Sequence, residues 1–300
     1  MVDHEKLLKL KREQDAVILA HYYACPAVQD IADYVGDSFY LSKIAAKIKC
    51  RTIVFAGVKF MGECAKILNP QKIVLMPDAR ADCFMAHMID NNFIRESRKR
   101  YTDLAVVCYV NSTTETKACS DVCVTSANAV TVVSKLPNKN ILFIPDKNLG
   151  HYVARHLPDK NFIFNDGFCP IHEHIDVQEI NRLKKEHPSV KVLVHPECNA
   201  AIIKIADYIG STSGIIKFAA ENTDREFIIA TEIGIKHRLE QTSPSKKYYF
   251  PDTTPKCLNM KLNTLENVLS VLKTGKNAIT VPTELAVSAR KALTKMLELA

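Results

Sequence analysis

The 300-residue chain is predicted to be an α/β protein: three homologous small domains with parallel sheets, arranged with pseudo-threefold symmetry around a central site. Three observations predict this. Cys83, Cys169 and Cys257 recur at intervals of 86 and 88 residues. Each module opens on an apolar run that ends in polar groups: Val17-Ile18-Leu19-Ala20-His21-Tyr22-Tyr23, Val106-Val107-Cys108-Tyr109-Val110-Asn111 and Val192-Leu193-Val194-His195-Pro196-Glu197. Twelve residues after His21, Tyr109 and His195 stands an aspartate (Asp33, Asp121, Asp207), and five further on a hydroxyl (Ser38, Ser126, Thr212). A period near 87 residues exceeds the roughly 20–50 of stacked solenoid repeats and suits a small α/β domain made in triplicate.

The first module shows how each domain is expected to fold. A strand at 17–20 leads to a short helix at 26–32, with Pro26 in the first turn, where a missing N–H costs nothing. A brief strand at 34–35 meets Gly36-Asp37-Ser38, and a helix follows over 39–49. Then come a strand at 53–56, a helix at 61–68 and a strand at 73–76, after which 77–82 delivers Cys83. Alternation at this spacing implies parallel pairing through helical crossovers. The second module repeats it with strands at 141–144 and 162–164, the third with strands at 227–230 and 248–250. Helices at 89–100, 177–186 and 265–273 link the modules. The units are therefore set at 1–84, 85–171 and 172–258, and the segment 259–300, with a last helix at 284–299, is expected to pack back on the first.

Composition narrows the function classes. The N-terminus is charged and runs straight into a helical pattern, and no apolar run approaches the roughly 18 residues of a membrane span. A cytoplasmic protein without a membrane partner is expected. The net charge of +7 is scattered rather than clustered, which suits small anionic substrates better than nucleic acid. Ten cysteines in such a chain seldom mean disulfides, and no C-x-x-C occurs. Cys50, Cys64, Cys108, Cys119 and Cys123 fall in predicted strands or helices and read as buried filler. Cys25 and Cys198 lie in loops.

The repeated residues carry the chemistry. His21, Tyr109 and His195 end the first strand of their modules, the hydroxyls follow the second and the cysteines follow the fourth, all at the edge where parallel α/β sheets bind ligands. Three thiolates meeting on a common axis can hold a metal centre. Zinc would want a fourth ligand, which His172 could supply; a [4Fe–4S] cluster on three cysteines would keep one iron open as a Lewis acid. Ser38, Ser126 and Thr212 are expected to open helices, where backbone N–H groups favour anions, although such residues also serve as ordinary caps. His21, Tyr23, Tyr109, Asn111, His195 and Glu197 add acid–base groups and donors.

These residues lie in longer motifs: Leu19-Ala20-His21-x-Tyr23, Gln29-Asp30-Ile31-Ala32-Asp33-Tyr34-Val35-Gly36-Asp37-Ser38, Thr125-Ser126-Ala127-Asn128-Ala129-Val130, Cys169-Pro170-Ile171-His172 and Asn259-Met260-Lys261-x-Asn263-Thr264-Leu265. With Pro145-Asp146-Lys147-Asn148-Leu149-Gly150 and Gly210-Ser211-Thr212-Ser213-Gly214, the chain resembles the quinolinate synthase family from end to end. The resemblance implies condensation of iminoaspartate with dihydroxyacetone phosphate to quinolinate in NAD biosynthesis. It implies one [4Fe–4S] cluster per chain on Cys83, Cys169 and Cys257, and a functional link to an enzyme that makes iminoaspartate. It implies catalytic roles for Tyr23, Tyr109, His195 and Glu197. Substrate binding is implied for His21, Ser38, Tyr109, Asn111, Ser126, His172, His195, Glu197 and Thr212.

Two positions depart from the family pattern. Tyr22 replaces a usual asparagine, which would put a bulkier group beside the cavity, and Lys59 replaces a usual aspartate in a loop expected near the site. Two rival readings stand beside the synthase. One is a zinc-dependent lyase or aldolase using the three cysteines and His172. The other is a non-enzymatic iron–sulfur sensor, which would not need polar residues at three equivalent strand ends.

Overall fold

The computed structural model describes residues 4–253 and 256–300. The first module contains α1 (His4–Glu13), β1 (Ala16–His21), α2 (Pro26–Ile31), β2 (Tyr34–Gly36), α3 (Ser38–Lys47), β3 (Thr52–Ala56), α4 (Lys59–Leu68) and β4 (Ile73–Leu75), then a 3-10 turn at Phe84–His87. The second contains α5 (Asn91–Arg100), β5 (Leu104–Tyr109), α6 (Thr114–Ala118), β6 (Val122–Val124), α7 (Ala129–Ser134), β7 (Asn140–Ile144), α8 (Lys147–His156), β8 (Asn161–Phe164) and α9 (Pro170–Glu173). The third contains α10 (Val177–Glu186), β9 (Lys191–Val194), α11 (Ala200–Lys204), β10 (Tyr208–Ile209), α12 (Thr212–Glu221), β11 (Glu226–Ala230), α13 (Ile235–Thr242), β12 (Lys247–Tyr249) and α14 (Leu258–Lys261). The chain ends with α15 (Leu265–Thr274) and α16 (Thr283–Leu299).

The three four-stranded sheets have one topology, β2-β1-β3-β4, β6-β5-β7-β8 and β10-β9-β11-β12, and every pairing is parallel. The inner strands are apolar along their length because helices cover both faces; all six residues of β5 and all five of β3 are buried. In each sheet the chain leaves the first and third strands in opposite directions. The switch point, where a ligand crevice opens, therefore lies between their carboxyl ends.

The repeated aspartates have a structural task. Asp33, Asp121 and Asp207 each accept the backbone N–H of the matching residue in their module's first strand, Ile18, Val106 or Val192, at 2.7–2.8 Å. Each also returns its own N–H to that residue's carbonyl at 2.9–3.0 Å. A side chain thus extends the β-ladder ahead of the start of the short second strand.

Two expectations change. The C-terminal segment was expected on the first module; α15 packs there, on α1, α2 and β3, but α16 lies mainly along α6 and β6 of the second module and touches α4 of the first. Its buried face, Ala289, Ala292, Leu293 and Met296, has two alanines that let the backbones approach closely. Cys50 and Cys119 are half-buried in turns, whereas Cys64, Cys108 and Cys123 are core residues in elements. Among the described residues no helix is long and apolar enough to cross a membrane.

Candidate active site at the meeting of three sheets

One cavity of about 230 Å³ is lined by all three modules. Its walls bring together Cys83, Cys169, Cys257, His21, Tyr23, Ser38, Tyr109, Asn111, Ser126, His172, His195, Glu197 and Thr212, every site residue expected from the sequence. Parallel sheets force this convergence: the polar residues leave the apolar strands at the same edge, and that edge faces the common space.

Each cysteine is the N-cap of a helical turn, Cys83 before Phe84–His87, Cys169 before α9 and Cys257 before α14. The cysteines are half-buried because they face the cavity while protein surrounds them. Burial pushes the Cys83 thiol up to about 12, and Cys169 and Cys257 also rise, chiefly by burial. Nearby Cys257 pushes Cys83 further up, and Glu197 and Cys83 do so for Cys169, while N–H groups of the following turns pull each back. A cation among them would reverse the penalty. The spacing bears on which centre fits. Cys169, His172 and Glu197 bring one ligand atom each within 4.8 Å of one another, the one such trio among the described residues. The three cysteine sulfurs are thus spread wider than one tetrahedral zinc ion requires, about 3.8 Å for Zn–S bonds of about 2.3 Å. That spread suits a centre of several metal ions, so the donor set fits an iron–sulfur cluster better than a single zinc.

A hydrogen-bonded chain crosses the modules. Ser126 Oγ lies 3.2 Å from His195 Nε2, and His195 Nδ1 lies 3.2 Å from Glu197 Oε2. The same oxygen is 2.9 Å from His172 Nδ1, whose Nε2 is 2.8 Å from Thr231 Oγ1. Thr231 Oγ1 reaches Tyr23 Oη at 2.7 Å, and Tyr23 Oη reaches Thr212 Oγ1 at 3.1 Å. Burial alone would raise the Glu197 carboxyl, but His172 and His195 outweigh it and hold the group ionised. Burial lowers His195, against the pull of Glu197, and takes His21 down to about 4, so the His21 imidazole is neutral at pH 7. His21 Nδ1 accepts the Tyr23 N–H at 3.1 Å, which puts the ring proton on Nε2. Burial also raises Tyr23 and Tyr109 well above the usual phenol range.

The hydroxyls differ from the expectation in one respect. Ser38 and Thr212 are first residues of α3 and α12, but the caps are Asp37 and Ser211, which leaves both hydroxyls free of that task. Ser126 opens no helix; it sits in the turn 125–128, where Asn128 Oδ1 accepts the Thr125 N–H, and α7 starts at Ala129. The chain needs that turn to carry Ser126 across to His195. Asn111 lines the cavity with its buried Oδ1 unpartnered, as is Glu197 Oε1. Tyr22 and Lys59 stay off the cavity wall: Tyr22 is buried beside it and Lys59 is exposed at the start of α4.

Four residues had no role assigned from the sequence, although Asp146 and Lys261 stand in its motifs. Thr231 bridges Tyr23 and His172. Glu232, fully buried, accepts the Cys257 N–H at 3.0 Å and the Gly234 N–H at 2.6 Å, and pairs with Lys261 at 2.9 Å. Lys261 Nζ in turn donates to the Tyr23 carbonyl at 2.6 Å. Asp146 caps α8, and burial, then Glu197, raises its carboxyl well above the usual range. Asp146 and Glu232 each stand two residues past the third strand of their sheets, β7 and β11. The signal was therefore present at the other lip of the switch point.

Comparison with known proteins identifies the family of the chain. A family model described as Quinolinate synthetase A protein matches residues 5–298. The chain is 52% identical over 296 residues to a quinolinate synthase of Fusobacterium nucleatum, covering 99% of both chains. It is 48% identical over 295 residues to a quinolinate synthase of Clostridioides difficile, covering 98% of this chain and 97% of that one. It is 46% identical over 295 residues to a quinolinate synthase of Thermodesulfovibrio yellowstonii, again covering 98% and 97%. The chain belongs to the quinolinate synthetase A protein family.

Proposed function

We propose that the protein is a quinolinate synthase of NAD biosynthesis, a transferase that joins iminoaspartate to dihydroxyacetone phosphate and releases quinolinate, phosphate and two waters. The observation that carries the reading is the convergence, in one cavity, of one cysteine from each module with the His21, Tyr23, Tyr109, His195 and Glu197 set. Cys83, Cys169 and Cys257 would hold a [4Fe–4S] cluster, which when bound supplies a Lewis acid for the dehydration. The protein would act in the cytoplasm, beside an enzyme supplying iminoaspartate.

The remaining roles follow from the residues. The N-terminal turns of α3 and α12, where Ser38 and Thr212 are not the capping residues, suit the carboxylates of iminoaspartate. Neutral His21 donates from Nε2 to an anionic oxygen without adding a charge. The orphaned Asn111 Oδ1 offers an acceptor for a substrate N–H or hydroxyl, since leaving it bare costs about 1–3 kcal/mol. Tyr23 keeps its proton at neutral pH and is suited to protonate a leaving oxygen. Glu197, held ionised, is the base in reach for the isomerisation that precedes ring closure.

The direct test is anaerobic purification with iron and sulfide analysis, then incubation with both substrates and detection of quinolinate. About four irons per chain with product is the expected result. A full cluster without product would overturn the substrate assignment and leave the metal site.

A further inference from the structure

We infer that Cys169, His172 and Glu197 form a binding site for a single divalent ion of the zinc class, distinct from the three-cysteine set and sharing Cys169 with it. The three ligand atoms lie within 4.8 Å of one another. For bonds of about 2.3 Å to sulfur and about 2.0–2.1 Å to nitrogen and oxygen, a tetrahedral ion holds its donors about 3.3–3.6 Å apart. His172 Nδ1 is 3.2 Å from Cys169 Sγ and 2.9 Å from Glu197 Oε2. An opening of about 0.3–0.5 Å on either side of His172 Nδ1 brings both pairs to that spacing, with the Cys169 and Glu197 donors within 4.8 Å of each other.

The supporting groups are already in place. Thr231 Oγ1, 2.8 Å from His172 Nε2, can accept a hydrogen bond from an N–H there, which leaves the Nδ1 lone pair to the metal. His195 Nδ1 steadies the Glu197 carboxylate at 3.2 Å, and its ring stacks on His172 with centroids 4.5 Å apart. Glu197 Oε1, buried without a partner, is a spare lone pair aimed at no donor in the protein. All three residues line the cavity, so water can supply the fourth ligand.

Loading the ion releases the Cys169 thiol proton, binds His172 as the tautomer with its proton on Nε2, and uses the Glu197 carboxylate. No electron changes hands. If the cysteines hold an iron–sulfur cluster, as proposed above, the two centres exclude each other because both claim Cys169. A single zinc ion would then block cluster assembly.

Cobalt(II) serves as the visible stand-in for zinc. Anaerobic, cluster-free protein is titrated with Co²⁺ and followed by its tetrahedral bands and its thiolate charge-transfer band, with circular dichroism as a check on folding. One Co²⁺ per chain is expected. Cys169→Ser and His172→Gln should each weaken binding by at least roughly tenfold, the loss seen even for outer partners of a metal, and Glu197→Gln should weaken it measurably. Cys83→Ser and Cys257→Ser should bind as the parent does. Loss of the bands in Cys83→Ser or Cys257→Ser, with retention in His172→Gln, would overturn the assignment. This titration uses no iron, sulfide or substrate, so failure of the synthase reading leaves it intact. In a second arm, one equivalent of Zn²⁺ should slow iron–sulfide reconstitution, read by visible absorption; a cluster built at full rate with zinc still bound would refute the sharing of Cys169.

Discussion

Tyr23 shows how much one side chain can be asked to do. Its hydroxyl lies between Thr212 and Thr231, and its backbone carbonyl is clamped by Lys261. Tyr23→Phe keeps the ring and the clamp and deletes the proton. We expect kcat to fall by about 10²–10⁴ with iron content unchanged; equal losses of both would mean the hydroxyl matters to assembly instead. His21 makes a different prediction. Its folded pKa is depressed from about 6.5 to about 4, so the neutral ring's contribution is present above pH 6.5 and is lost as pH falls towards 4. The loss amounts to about 3 kcal/mol at most. Urea midpoints measured across that window should fall less steeply in His21→Asn than in the parent; parallel curves would show that another group drives acid unfolding.

Among elements, the short second strands depend on borrowed hydrogen bonds. Without its aspartate, each first strand would leave a buried N–H at Ile18, Val106 or Val192 unpaired. Asp121→Ala should destabilise the protein by about 1–3 kcal/mol, read from the shift of the urea midpoint, although Asp121 touches nothing in the cavity. Asp121 also meets Arg98 at 3.0 Å, but that exposed pair contributes little, so Arg98→Ala should shift the midpoint far less. A loss as large in Arg98→Ala would reassign the role of Asp121 to its charge. The last helix is tested similarly. Leu293→Ala empties a buried position on the face that α16 lays on the second module. It should cost about 2–5 kcal/mol, seen as a lower Tm with kcat preserved.

For the whole molecule, the site exists only where three modules meet. If each cysteine holds a separate corner of one centre, Cys83→Ser, Cys169→Ser and Cys257→Ser should each abolish synthesis, although the three come from different sheets. A serine variant with full activity and no iron would refute the shared centre. The Glu232–Lys261 pair makes the same point at longer range, since it ties the Cys257 turn of the third module to Tyr23 of the first.

The amino-acid pattern by itself determined the three parallel modules, their element order and the residues that close the first, second and fourth strands. Those features are local: apolar runs of strand length, helix starts, and a repeat that holds its phase through Asp33, Asp121 and Asp207. It could not show what Thr231, Glu232 and Asp146 do, because a polar residue past a strand reads as a loop until its partner in another module is known. Nor could it show that Tyr22 and Lys59 turn away from the cavity, that Ser126 lies in a turn, or that α16 lies mainly against the second module. These depend on packing between residues as much as 238 positions apart, as Tyr23 and Lys261 are. Tertiary structure decided them because hydrogen bonds and close packing act over a few ångströms of space, whatever the distance along the chain.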